Sequence, residues 1–375
     1  MKTVIAIDSF KGCMSSLEAG NAAKRGLLSV CDSDIEVFPI ADGGEGTCDV
    51  LTVGLEGNFK ETQVHDPIGR MISARYGVVP KKKLAIIEMA ASSGLTLVEE
   101  ELRDPINSNT YGVGELILDA LHNGCREFII GIGGSATTEA GIGMLHALGF
   151  RFLDADEKEL APYLLNMSHI HRITDELVSE ELNHCAFHIA CDVVNPLCGE
   201  NGAVRVYGRQ KGVLPEQMEK LDQLLDQFSR VSEEWSGRKV KDLQGAGASG
   251  GLGFAFLNFF RNVDLRPGLE VISDSTGLRD ALASADYVIT GEGKIDSQTK
   301  MGKVPYRIAK MAYKPDTKTI AFCGAVEPEV SEELYPVIDD CIAITPDNVP
   351  LALAMQKQVA IENMEKTVAN YFKAI

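Results

Sequence analysis

The stretch Ala285-Asp-Tyr-Val-Ile-Thr-Gly-Glu-Gly-Lys-Ile-Asp296 sets Glu292, Lys294 and Asp296 just past an apolar run, with Lys303 a little further on. Backbone amides, carboxylates and lysines gathered beyond the carboxyl end of a strand suit a phosphate accompanied by a divalent cation. Four other stretches combine glycine with an acid or a hydroxyl: Asp8-Ser9-Phe10-Lys11-Gly12, Asp42-Gly43-Gly44-Glu45-Gly46-Thr47, Gly131 to Thr138 (with Gly133, Gly134 and Ser135), and Asp192 to Asn195. Taken singly, each reads equally well as a tight turn, an Asx-turn or a helix-terminal acid. Five of them, nearly all directly after apolar strands, point to one binding edge, because strand ends in one sheet converge.

The elements that must position these residues follow from periodicity. Thr3-Val-Ile-Ala-Ile7 is a strand, Ser15-Ser-Leu-Glu18 has the spacing of a capping box, and Ala19, Ala22, Ala23 and Leu27 form one helix face. Ile35 to Phe38 is a second strand, so the chain opens as β-α-β, the start of a parallel sheet. Phe59 to His65, Met71 to Val79 and Leu84 to Glu88 then form an antiparallel meander, its first turn made by Asp66-Pro-Ile-Gly69. Glu127 to Ile130 and Cys185 to Ala190 are further strands, and Pro215 opens an amphipathic helix carrying Met218, Leu221, Leu224, Leu225 and Phe228. After Pro267-Gly268 the β-α rhythm returns with strands at Tyr287, Lys318 and Cys341 and a last helix from Leu351 to Phe372. The reading is an α/β protein: a doubly wound domain of five parallel strands (1–57 plus 268–375) interrupted by a second α/β domain with a mixed sheet (58–267). The site is expected in a cleft between them.

Composition narrows the function. The 375 residues are 45% apolar and 24% charged, ordinary for a globular protein. A net charge of -18 argues against a nucleic-acid surface. The nine cysteines include no Cys-x-x-Cys pair, there is no signal-peptide pattern, and no apolar run reaches membrane-spanning length. The expectation is a reduced, cytoplasmic protein with no membrane partner, a monomer or homodimer. Gly131-x-Gly-x-x-Ala136 resembles a dinucleotide fingerprint, but its helix is delayed by Thr137-Thr-Glu139. It leaves an NAD-linked oxidoreductase as an alternative. His184 and His188, four apart, invite a zinc reading but fit a structural explanation better, and Cys191 has no identifiable basic partner for a nucleophilic role.

Seven motifs occur in order: Asp8-Ser-Phe-Lys-Gly12, Ala41-Asp-Gly-Gly-Glu-Gly-Thr47, Gly131-Ile-Gly-Gly-Ser-Ala-Thr137, Ala190-Cys-Asp-Val-x-Asn-Pro-Leu197, Gly202-Ala-x-x-Val-Tyr-Gly-x-Gln-Lys-Gly212, Gly245-Ala-Gly-Ala-x-Gly-Gly-Leu-Gly253 and Thr290-Gly-Glu-Gly-x-x-Asp-x-Gln-Thr299. Together they closely resemble the bacterial glycerate kinase family over essentially the whole chain. The resemblance implies a flavodoxin-like domain with an inserted α/β domain. It also implies phosphorylation of D-glycerate by ATP with Mg²⁺, usually at the 2-hydroxyl, with the 3-hydroxyl as the alternative. Thr138-Glu139-Ala140 stands where the family commonly shows Asn-Asp-Gly, Lys294 where Arg is frequent, and Arg209 where Pro is common. Within that frame Asp192 is the expected base, Asn195 its orienting partner, and Lys11 the cation near the transferred phosphoryl group or substrate carboxylate. Asp8, Ser9, Gly43, Gly44, Gly133, Gly134, Ser135, Gly291 and Lys294 are expected to contact phosphate or substrate. Asp42, Glu45, Glu292 and Asp296 compete for Mg²⁺ and ribose.

Overall fold

Thr3 to Ile7 are completely buried, so the first strand needs cover on both faces. It lies inside a five-stranded, all-parallel sheet of order 340–343, 318–323, 287–291, 2–7, 34–37. Counted along the chain this is the order 2-1-3-4-5 of the flavodoxin-like doubly wound fold, as expected from the five strand signals. One face packs on the helices Ser16–Leu28 and Lys357–Lys373 through Ile5, Ile7, Ala19, Ala23, Phe322, Met364 and Val368. The other carries Ala309 of Val304–Ala312 and Val330 and Leu334 of Pro328–Leu334 against Ala321 and Cys323. The first two helices approach so closely that a Cβ on Gly26 would lie 2.5 Å from the Glu365 carbonyl oxygen. The Ser15 capping box forms as its spacing requires, with the Ser15 hydroxyl accepting from Glu18 N and the Glu18 carboxylate from Ser15 N.

The computed structural model describes residues 1–38, 40, 41, 44 and 46–374. They form two units, Met1–Asp42 with Ile272–Ile375 and Gly43–Val271. The sequence reading divides the chain instead at 57/58 and 267/268. The residues concerned include the helix Thr47–Gly54, which packs on the strands Met71–Val79 and Leu84–Glu88; Cys48 N donates to the Glu88 carboxylate.

The second unit holds a six-stranded mixed sheet of order 263–266, 186–190, 127–131, 84–88, 71–79, 58–65. Its first four strands are parallel, and the strands 58–65, 71–79 and 84–88 form the antiparallel meander that the sequence indicates. The core is rich in aromatic rings: Phe150, Phe259 and Trp235 pack edge-on or stacked, and Phe128 stacks on Phe187. The helix Met218–Ser236 buries Leu221, Leu224, Leu225 and Phe228, the stripe its periodicity predicts. The Gly-rich segment feeds the helix Ala248–Phe259, but Ser249, Gly250 and Gly251 hold positive φ. Among the described residues no helix is long and apolar enough to cross a membrane.

Candidate active site

In the flavodoxin-like sheet the strand order reverses between Lys2–Ile7 and Tyr287–Gly291, and ligands of such sheets bind beyond the carboxyl ends at that point. Asp8 and Glu292 are the next residues on the two strands, and Asp8 N donates to Gly291 O at 2.9 Å. Ser16 fixes the neighbouring edge: its buried hydroxyl donates to Ile7 O and accepts from Ile40 N. Ser9 N donates to the Asp8 carboxylate at 2.7 Å, and Lys11 follows as an exposed side chain in the turn that Phe10 and Met14 close by exchanging backbone hydrogen bonds.

Glu292 is buried, accepts from the Thr299 hydroxyl at 2.9 Å, and lies 3.6 Å from the Lys303 ammonium. Burial pushes its carboxyl above the usual range and Asp8 and Asp296 add like charge, while Thr299 and Lys303 oppose the shift. Asp296, bonded by Lys303 at 2.9 Å, is held below the usual range by that bond. Among the described residues no three His, Cys, Asp or Glu side chains gather closely enough to hold a metal ion alone. Mg²⁺ does not need such a cage: it takes one or two carboxylates and completes its shell with phosphate oxygens and water. Glu292 and Asp296, hard oxygen donors at the strand end, fit that requirement.

Two expected contacts in this unit have other work. Lys294 is exposed and its ammonium bonds Glu327 at 2.6 Å, across the short pairing of Lys294–Ile295 with Ala325–Val326. A Cβ on Gly291 would meet the Phe322 carbonyl oxygen at 2.0 Å, so strand packing alone accounts for the glycine. Asp42, Gly43 and Glu45 lie outside the described residues. Gly44 contributes its carbonyl oxygen to the Thr47 hydroxyl at 2.7 Å.

In the second unit the parallel strands end at Glu88, Gly131, Ala190 and Arg266, and the segments that follow meet in two pairs, after Glu88 with after Gly131 and after Ala190 with after Arg266. The loop after Gly131 turns at Gly134, with φ +75°, and exposes Gly133 and Gly134 while burying Ser135. It is pinned to the segment after Glu88 by Leu95 N to Gly134 O at 2.8 Å and Ala136 N to Ser93 O at 2.9 Å. From another side the Ser249 hydroxyl donates to Ile132 O, and Ala140 N donates to Gly250 O at 2.8 Å. A Cβ on Gly250 would be 2.1 Å from Thr137 O, so the Gly245 to Gly253 motif serves close packing on this loop. The helix that follows the loop starts only at Ile142, which removes the dinucleotide arrangement.

Asp192 is exposed beyond the strand Ala186–Ala190, with Gly268 N donating to Oδ1 at 3.3 Å. Asn195, expected to orient it, instead spends its side chain on the loop: Nδ2 donates to Asn201 O and Oδ1 accepts from the Tyr207 hydroxyl, each at 2.8 Å. Burial pushes the Cys191 thiol up to about 11, far from a ready thiolate. His188 bonds Asp264 at 2.5 Å through Nδ1, while His184 ends a short helical turn.

Two charged residues under the loop, neither among the expected site residues, are buried there. Lys211 is 2% exposed, and its ammonium donates to Ser135 Oγ at 2.5 Å and to Thr137 O at 2.6 Å. Glu139 is 1% exposed; Oε1 accepts from Thr110 N and Oγ1, and Oε2 from Gly141 N, each at 2.6 Å. One carboxylate thus serves the N-terminal ends of the helices Tyr111–His122 and Ile142–Ala147. Ala140, where Gly is frequent in the resembled family, holds φ +49°. The Gln-Lys-Gly motif ending at Gly212 was the available signal for Lys211, but nothing local marks the lysine as buried.

The glycerate kinase family model matches residues 3–375. The chain is 40% identical to a glycerate kinase of Bacillus subtilis (strain 168), over 100% of this chain and 98% of that one. It is 39% identical to a glycerate 2-kinase of Escherichia coli (strain K12), over 88% and 87% respectively. The crystal structure of a candidate glycerate kinase 2 from Salmonella typhimurium LT2 superposes with a TM-score of 0.90 at 38% identity, covering 100% of this chain and 98% of that one. With the family's motifs at the strand ends of both sheets and the match running from end to end, this chain belongs to the glycerate kinase family.

Proposed function

We propose that the protein transfers the γ-phosphoryl group of ATP to D-glycerate and that the product is 2-phosphoglycerate. The observation that carries the reading is the family match over residues 3–375, whose motifs fall on the carboxyl ends of parallel strands. The Escherichia coli relative's name, glycerate 2-kinase, supports the 2-hydroxyl.

Phosphoryl transfer needs positioning and charge stabilisation more than covalent help. Asp192, exposed at a strand end and oriented by Gly268 N, is the group we assign to accept the substrate hydroxyl proton. Asn195 shapes the Asp192 loop through Asn201 and Tyr207. Lys11 offers a mobile cation to the transferred phosphoryl group or the substrate carboxylate. Gly133, Gly134 and Ser135 offer amides and a hydroxyl to anionic oxygens, and Asp8, Ser9, Gly43 and Gly44 are assigned to phosphate or substrate contact from their motifs. Glu292 and Asp296, with Asp42 and Glu45, would hold Mg²⁺, which when bound neutralises phosphate charge. Lys303 favours the ionised form of Asp296 and opposes the upward push that burial gives Glu292.

The test is ADP formation with D-glycerate, ATP and Mg²⁺. Turnover that requires all three, and that stops on chelation of the metal, is the expected result. ADP release independent of glycerate, or NADH oxidation with a hydroxypyruvate-type substrate, would overturn the assignment.

A further inference from the structure

Lys211 is the one lysine or arginine among the described residues that is fully buried. Burying an ammonium is costly, and the usual compensation is a directly bonded carboxylate. Here the bonded acceptors are instead a hydroxyl and a carbonyl, Ser135 Oγ and Thr137 O, both in the loop of Gly133 and Gly134. The lysine reaches them from the short helical turn Arg209–Lys211, which Gly212 ends at φ +95°. A Cβ on Gly212 would be 2.4 Å from Arg103 O, so the turn is seated against the chain at Arg103, whose guanidinium donates to Gln210 O.

The bond to Ser135 has a chemical consequence. A hydroxyl that accepts from an ammonium keeps its own O–H for another partner. The loop therefore has the Ser135 O–H as a donor beside the exposed Gly133 and Gly134, with the Lys211 amine directly behind it. Among the described residues the buried hydroxyls of Thr137 and Thr138 in the loop, and of Ser93 on the segment after Glu88, have no hydrogen-bond partner. Glu139, the nearby buried carboxylate, already accepts from Thr110 and Gly141.

We propose that Lys211 is a positioning residue: it holds the Gly131–Thr138 loop in the form that offers Ser135 and its neighbouring glycines to an anionic oxygen of glycerate or ATP. The inference rests on the reading of that loop as an anion site given above. A proton linkage follows from the burial. Desolvation pulls Lys211 down to about 7, and of the charged groups around it Glu139 alone opposes this, Arg103 lying behind the turn. An anion bound at the loop favours the ammonium, so at pH 8 binding takes up a proton.

Calorimetric titration of D-glycerate and of MgATP, each at pH 8 in two buffers of different ionisation enthalpy, counts that proton and identifies which ligand carries the anion. Both ligands are fully ionised at that pH, so uptake reports the protein. The expected result is uptake approaching one proton for one ligand. Lys211→Met, checked for folding by thermal melting, should lose the uptake and raise KM for that ligand at least tenfold with a smaller change in kcat. Lys211→Arg, permanently charged, should bind without uptake. No uptake in the wild-type protein, or uptake unchanged in a folded Lys211→Met, would overturn the proposal while leaving glycerate-dependent turnover standing. If neither ligand binds the wild type, the functional reading fails and the proposal with it. Should Lys211→Met fail to fold, the wild-type proton count decides alone.

Discussion

Glu139→Ala removes the acceptor shared by Thr110 N, Thr110 Oγ1 and Gly141 N, all at 2.6 Å and all buried. Two backbone N–H groups are orphaned at the start of two helices, at about 1–3 kcal/mol each. Relief of a desolvated carboxylate offsets part of this, leaving a net loss of roughly 2–4 kcal/mol. For a unit of this size that is a fall in Tm of roughly 4–16 °C. Trp235 is the single tryptophan and packs on Phe150 and Phe259 of the same unit, so its fluorescence follows the relevant transition. Glu139→Gln keeps an acceptor for Thr110 but points a donor at Gly141 N, and should lose about half as much. Burial pushes the Glu139 carboxyl above its ordinary range. The stability that goes with its protonated form is complete below the unfolded carboxylate pKa and is lost as pH rises through the folded value. The deficit of Glu139→Ala therefore narrows as pH rises above the unfolded carboxylate value. A loss below about 1 kcal/mol, the range of an ordinary surface change, would refute the bridging role.

Ala140→Gly removes a left-handed alanine worth about 1–2 kcal/mol of strain against about 0.4–1 kcal/mol of added chain entropy; urea denaturation should show a modest gain in stability. Asp192→Asn should lower kcat by about 10²- to 10⁴-fold with little change in melting temperature; a loss of only a few-fold removes the base assignment. Lys294→Ala should leave KM for ATP within about two-fold, because an exposed pair with Glu327 contributes little; a tenfold rise would restore the phosphate role to Lys294.

Local rules explain what was legible in the chain. The Ser15 to Glu18 spacing, the Asp66 to Gly69 turn and the stripe on Met218–Ser236 each depend on neighbours within a few residues. The three inner strands of the parallel sheet declare themselves as short, mainly apolar runs, which is what a sheet covered on both faces requires, while the edge strand Asp34–Val37 alternates through Glu36. What stayed hidden depends on partners far along the chain. Lys211 meets Ser135 across 76 residues, and Lys294 meets Glu327 across 33. Gly291 looks like part of a phosphate turn until the Phe322 carbonyl is seen against it. Asn195 has the chemistry of an orienting group, but its amide is taken by Asn201 and Tyr207. Motif membership finds the neighbourhood of a site; the three-dimensional hydrogen-bond assignment decides which members remain available to a ligand.

The most direct test of the central claim is the ³¹P NMR spectrum of the product formed from D-glycerate and ATP. Transfer to the 2-hydroxyl leaves phosphorus on an oxygen attached to a single C–H, and the proton-coupled resonance is a doublet. A triplet, from phosphorus next to a CH₂ group, would mean transfer to the 3-hydroxyl, and no new monoester resonance alongside unconsumed ATP would contradict the kinase assignment itself.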